Sequence, residues 1–197
     1  MARTVDPDRH RARRLMILDA AVTCFAARGF AGTTTAQVCR EAGIGSGTLF
    51  HYFPTKASLM TALLEEDTRE VLAFFAAHRD RPAWDGLGAW VERAIEEAAD
   101  PRVAGLVNAM IGAGALPEVA GALAANEAVI GDGLTALVRR GQDEGGVRAD
   151  LSATRIASWV TLLVDGFYGR IASDEEFRAE DEAGVLRATV SSLLNGG

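Results

Sequence analysis

The groups in this chain that could act as metal ligands, bases or nucleophiles are not arranged for catalysis. The histidines His10, His51 and His78 have no ligand-like spacing, and the fourteen residues between Cys24 and Cys39 match no common zinc pattern. No glycine-rich phosphate loop follows a strand, and no nucleophile elbow is present. No metal and no cofactor are expected, and an all-helical enzyme is the most distant reading. The residues whose types do suit a task sit in and around TLFHYFPTK, Thr48 to Lys56, and the task is contact. Ser46, Thr48, His51 and Tyr52 are short or planar polar groups of the kind that reach base edges and phosphate oxygens. Lys56, the only lysine in the chain, opens a helix whose free amides also suit an anion.

Two short helices joined by a glycine turn are needed to hold these groups. Thr33, Thr34 and Thr35 offer N-caps for a helix running to about Ala42, and Gly43 ends it. After Ile44-Gly45-Ser46-Gly47 the spacing predicts a second short helix, Thr48 to Phe53, which Pro54 stops. Val38, Ala42, Ile44, Leu49 and Phe53 can form the small core that locks the pair, the plan of a helix-turn-helix. Adjacent helical residues differ by about 100° in direction, so if Phe53 points inward Tyr52 is turned away. Upstream, Leu15, Leu18, Val22 and Phe25 mark a helix closing at Arg28-Gly29, and downstream Thr55 caps a long helix from Lys56 to about Arg79.

Helical periodicity continues through Trp84–Ala99, Arg102–Ala115, Pro117–Asp143, Leu151–Ala172 and Asp181–Leu194, with no alternating strand pattern. The expected fold is all-α, with roughly nine helices. Charge divides the chain. Residues 1–56 hold eight basic and four acidic residues, and the remainder twelve basic and twenty-three acidic, within a net charge of −7. A basic contact module carried by an acidic body follows, with phosphate contact confined to one end. No uninterrupted apolar run of the roughly 18 to 20 residues needed to span a bilayer is present, and MARTVDPDRHRARR has no apolar segment of a secretory signal. A cytoplasmic location is the default, and with it reduced cysteines.

Residues Ala12 to Leu59, with GFAGTTTAQVCREAGIGSGTLFHYFPTKASL at their centre, resemble the DNA-binding region of the TetR family of bacterial transcriptional regulators. LLVDGFYGR, Leu162 to Arg170, resembles a helix near the dimer interface of many members, and the C-terminal half is most similar to the subgroup related to the choline-responsive regulator BetI. The resemblance implies a DNA-binding domain at 1–56, a ligand-binding and dimerisation domain at 57–197, and a homodimeric repressor released from a palindromic operator by a small molecule. Control by a protein partner, or by no effector, is the alternative. By position, Thr35 and Ser46 match phosphate-side places, Thr48, His51 and Tyr52 match recognition-helix contacts, and Lys56 matches a phosphate contact. The chain departs from the family at Gly45-Ser46, where many members carry Ser followed by Lys or Arg; Arg9, Arg11, Arg13 and Arg14 can compensate as a basic arm.

In the acidic body, Ile156, Val160, Leu163, Phe167 and Ile171 form one apolar stripe while Trp159, Leu162 and Tyr168 add apolar area on other faces, which predicts burial on two sides. Leu186, Val190, Leu193 and Leu194 of the last helix are expected to join the partner-facing surface. Asn126 interrupts the stripe Val119, Leu123, Ile130, Leu134 and Leu137, and Asp67 interrupts Leu63, Val71 and Phe74. Each needs a buried partner or lines a ligand pocket. Phe74, Trp90, Asn108, Met110 and Trp159 are further candidate wall residues, with ordinary core packing as the alternative.

Overall fold

Capping chemistry fixes most of the boundaries. In the computed structural model, which describes residues 6–196, Asp6 caps the first helix, α1 (Pro7–Gly32), by accepting from the Asp8 amide. Gly29, at φ 66°, interrupts that helix where the sequence places its end. Thr33 is buried, and its hydroxyl donates to the carbonyls of Cys24 (2.9 Å) and Gly29 (2.8 Å), so the break is satisfied internally. A capping box between Thr34 and Gln37 starts α2 (Thr35–Glu41). Gly43, at φ 62°, turns the chain into α3 (Ser46–Tyr52), which begins two residues before the predicted start. Phe53 is extended ahead of Pro54, and a second capping box, Thr55 with Ser58, starts α4 (Lys56–Ala77).

Five more helices follow: α5 (Ala83–Ala98), α6 (Val103–Ala113), α7 (Pro117–Asp143), α8 (Ala153–Ser173) and α9 (Ala179–Asn195). Among the described residues every regular element is helical, nine in all. Two apolar clusters hold them. One joins Ile17, Leu18, Phe25, Val38, Leu49, Phe53 and Leu59 to Ala109, Ala113 and Val119, so the core of the N-terminal helices continues into α6 and the start of α7. The other gathers α5, α7, α8 and α9 around Leu87, Leu134, Ile156, Val160 and Leu186, with Val71 from α4. Contrary to expectation, Leu186, Val190 and Leu194 are spent inside this second cluster. On α9, Val185, 61 % exposed, is the large apolar side chain left for a partner.

Helix α1 packs tightly against α6. Gly105 has no room for a side chain there: a Cβ would come within 2.8 Å of the Ala26 backbone. By length and composition α1 carries a stretch apolar enough to cross a membrane, although no uninterrupted apolar run occurs. Ile17, Ala21, Cys24 and Phe25 are instead buried in the first cluster.

Candidate functional site

The helix-turn-helix is locked by the residues its periodicity selects. Val38 and Leu49 are fully buried, Phe53 nearly so, and Ala42 and Ile44 pack against them. Truncating a side chain like Leu49 to alanine costs about 2–5 kcal/mol, so this small core can hold α3 rigidly. Gly45 serves as the N-cap of α3 without any side-chain hydrogen bond. Free amides therefore face outward at the start of that helix, beside the exposed Ser46, Gly47 and Thr48.

Along α3, Thr48 and His51 are exposed, while Tyr52 is half-buried. The Tyr52 ring packs on His10 of α1 at 4.6 Å between centroids, and His51 stands edge-on to it at 5.3 Å. Phe50 is the residue sequence reasoning passed over: it is 48 % exposed, an apolar ring offered to solvent on the same short helix. The turn arithmetic that swings Tyr52 off the core direction applies equally to Phe50, on the opposite side. Thr35, half-buried, sits at the start of α2.

Lys56 is placed differently from a free phosphate contact. Its ammonium donates to the carbonyls of Phe30 (2.5 Å) and Thr33 (2.8 Å), with Ala31 at 3.4 Å, and lies 4.4 Å from the centre of the Phe30 ring. It closes the C-terminal end of α1, where a cation suits the helix dipole. The arginines of the expected arm are helical, on the first turns of α1. Arg14 pairs with Glu65 and Glu66 of α4 and covers the Phe53 ring, and Arg11 reaches Glu66. Arg9 and Arg13 make no ion pair among the described residues and stay exposed.

A cavity of about 600 Å³ opens between α4, α5, α6, α7 and α8. Asp67, Trp90, Met110 and Asn126 line it, four of the residues singled out from the pattern. Phe74, Asn108 and Trp159 do not. Phe74 packs among Phe75, His78 and Trp90. Asn108 is exposed and donates to the carbonyl of Ala172 (2.8 Å), and Trp159 is 47 % exposed on the side of α8 away from the cavity. Asn126 lines the space while its amide donates to Asp67 (2.8 Å) and Thr68 (3.0 Å).

Arg93 organises the polar side of the cavity. It donates to Asp67 (2.9 Å) and Glu97 (2.6 Å) and lies 3.8 Å from Glu70. Burial works to lower its pKa, but Glu97, Asp67 and Glu70 together hold it above the ordinary guanidinium value. Tyr168 donates to Glu97 at 2.8 Å, and burial, then Glu97, pushes its phenol well above the usual range. Asp165 also lines the space; burial pushes its carboxyl upward, and Glu127 pushes it further. Arg93, Glu97, Asp165 and Tyr168 were not foreseen as a site. Asp165 had a signal, a carboxylate inside the apolar run LLVDGFYGR.

Comparison with known proteins agrees with this geometry. Residues 17–63 match the family described as bacterial regulatory proteins of the tetR family, and residues 113–195 match the C-terminal region of BetI-type transcriptional repressors. The chain is 28 % identical to the HTH-type transcriptional repressor Rv1474c of Mycobacterium tuberculosis, over 87 % of this chain and 89 % of that one. The Salmonella enterica GusR structure superposes with a TM-score of 0.72 at 29 % identity, covering 93 % of this chain and 95 % of that one. The regulator FadR from Bacillus subtilis, solved in complex with stearoyl-CoA, superposes at 0.77 with 16 % identity over 92 % and 99 % of the two chains, a likeness of fold.

Proposed function

For a chain that belongs to the TetR family of bacterial regulatory proteins, we propose the role of a homodimeric, cytoplasmic repressor that binds a palindromic operator and is released by a small molecule. The observation that carries this reading is the double use of α6. Val103, Leu106, Val107 and Met110 line the cavity, while Gly105, Ala109 and Ala113 of the same helix lie against the N-terminal core. A ligand that alters the cavity wall therefore acts on the helix that props α1. Release then requires that the ligand bind one arrangement of α6 better than the other.

DNA contact is assigned to α3 and its surroundings, with residues 1–56 as the reading module and 57–197 as the sensing and pairing module. Thr48, Phe50, His51 and Tyr52 face the bases, and Thr35, Ser46 and the free amides of α3 face phosphate. Arg9 and Arg13 supply the cations that Lys56 does not. Pairing is assigned to Trp159 and Leu162 of α8 with Val185 of α9, all exposed and apolar. A two-fold dimer presents two α3 helices to two half-sites about one helical turn apart, about 34 Å. A regulator without an effector would not need the cavity, which favours the ligand-controlled reading.

A mobility-shift titration against the promoter region flanking the gene tests the DNA assignment. Phe50→Ala and His51→Ala alter exposed side chains and are expected to weaken binding with the melting temperature unchanged. Unaltered binding by both variants would remove α3 from the contact surface.

A further inference from the structure

Four buried side-chain atoms have no hydrogen-bond partner among the described residues: Thr61 Oγ1, Trp90 Nε1, Arg93 Nη1 and Arg140 Nε. Two of them, Trp90 Nε1 and Arg93 Nη1, belong to residues of the cavity wall. These residues stand three apart on α5, a spacing that puts both on one face of the helix. The Arg93 guanidinium carbon lies over the Trp90 ring, 5.6 Å from its centre, so the two N–H groups serve one spot. Trp90 is 6 % exposed, and its nitrogen gave up water on folding without gaining a partner. Indole and guanidinium nitrogens donate and do not accept, and a buried donor left unpaired is costly until an acceptor arrives.

The rest of the wall narrows the choice of acceptor. Asn126 and Tyr168 are already committed, the amide to Asp67 and Thr68 and the hydroxyl to Glu97. The charge of Arg93 is met as well, by Asp67 at 2.9 Å and Glu97 at 2.6 Å, with Glu70 at 3.8 Å. An anionic ligand would bring one more negative charge to a guanidinium already neutralised, beside three carboxylates. An ammonium group has no lone pair to offer either donor. A neutral oxygen meets neither obstacle. Leu63, Leu64, Val71, Leu106 and Met110 line the same space and suit an apolar body, and about 600 Å³ is ordinary room for a small organic ligand.

We propose that the effector is a neutral, largely apolar molecule carrying a carbonyl oxygen, a ketone, ester or lactone by class, and that Trp90 Nε1 and Arg93 Nη1 receive that oxygen. A carbonyl oxygen has two lone pairs, one for each donor, and no hydrogen of its own to place. Trp90 and Arg93 already border the space, so a small turn of either side chain brings its N–H to the ligand. This inference rests on the cavity being the effector site.

Titration calorimetry with the full-length protein at neutral pH separates the two claims. Four probes share one phenylbutyl skeleton: butyrophenone, butylbenzene, 4-phenylbutanoate and 4-phenylbutylamine. Butyrophenone is expected to bind about ten-fold tighter than each of the others. Trp90→Phe keeps an aromatic ring and removes the N–H; it should cut butyrophenone affinity about ten-fold and butylbenzene affinity far less. Infrared spectroscopy of butyrophenone bound to the parent needs no variant, and its carbonyl stretch should fall below the frequency found in hexane. Equal affinities for butyrophenone and butylbenzene, equal losses for both in Trp90→Phe, or a stretch as in hexane would leave the cavity as a binding site and overturn the carbonyl. Tighter binding of the carboxylate or the amine would overturn the neutral ligand. Failure of all four to bind would overturn the cavity as an effector site, and the carbonyl with it. Melting of Trp90→Phe alongside the parent checks its fold, and if it does not fold the parent's affinities and the carbonyl stretch decide.

Discussion

Gly105→Ala is the change that most directly tests how α6 is joined to α1. A methyl group at this position falls on the peptide of Ala26, within 2.7 Å of its carbonyl carbon and 2.8 Å of its Cα. Those are backbone atoms of a packed helix, so no side-chain rotation relieves the clash; α1 and α6 must separate. Overpacking of a tight core costs about 1–3 kcal/mol. The pair lies at the largest helix contact of the N-terminal core, where Ala109 and Ala113 are fully buried, which places the expected loss at or above the top of that range. Alanine in place of glycine returns about 1 kcal/mol of helix propensity, which the control isolates. Gly112, on the same helix, has open space where its Cβ would go. Gly112→Ala should therefore stabilise by about 0.5–1 kcal/mol, and Gly105→Ala should destabilise by about 2 kcal/mol or more, read from urea denaturation followed by circular dichroism. Operator affinity of Gly105→Ala should fall as well, since α1 carries the core on which α3 sits. A Gly105→Ala protein as stable as Gly112→Ala would refute the close packing of α1 on α6.

Lys56→Met should cost about 2 kcal/mol in urea denaturation, because charge-assisted bonds to the ends of α1 are lost, while the salt dependence of operator binding keeps its slope; a slope reduced by about one would mark a phosphate contact instead. Asp165→Asn should raise the melting temperature at neutral pH. The Asp165 carboxyl is held above its ordinary value by burial and Glu127, so ionisation costs stability that is intact below the unfolded-state value and lost as pH rises through the folded one. The gap between variant and parent should accordingly close on acidification, and a gap independent of pH would contradict it. Trp159→Glu should shift the protein from dimer to monomer in light scattering after size-exclusion chromatography, with helicity retained, because the side chain is exposed in the single chain.

Local patterns carried α2 and α3 because the residues that lock them are local. Val38, Leu49 and Phe53 lie within sixteen residues of one another, so spacing alone brings them together, and the caps at Thr34 and Thr55 are equally short-range. Phe50 was passed over because an aromatic beside Leu49 reads as core until the direction of each residue is worked out. The fate of Lys56 was hidden for a different reason. Its partners at Phe30 and Thr33 are backbone carbonyls at the C-terminal end of α1, where the helix supplies no further amides, and no side-chain pattern records such a carbonyl. The cavity was legible in part. Asn126 and Asp67 stood out as polar groups in apolar stripes, but Arg93 and Asp165 come from other helices, and periodicity assigns a face without naming what it faces. Trp159 shows the same gap, since α8 is apolar on two sides and the sequence does not say which one looks inward.

The ties to α1 decide how a cavity event can reach α3. Three sets are made by α4 or by Arg102, which caps α6: Lys56 at the C-terminal end, Arg11 and Arg14 with Glu65 and Glu66 near the other, and Arg102 with Asp19 (2.7 Å) between them. Gly105 on Ala26 adds a fourth contact, backbone against backbone. Long side chains such as Arg102 can follow a moving helix by changing rotamer, and an exposed pair of that kind is worth about 1 kcal/mol or less. The glycine contact has no such slack. Close-packed interiors transmit displacements of about an ångström instead of absorbing them, so a shift of α6 toward α1 at Gly105 has to move α1. Leu49 and Phe53 anchor α3 in the same apolar cluster as Ile17, Leu18 and Phe25, so α3 moves with it. The side chain that is missing at position 105 therefore makes α6, and not the short connection between α3 and α4, the stiff link from the cavity to α3.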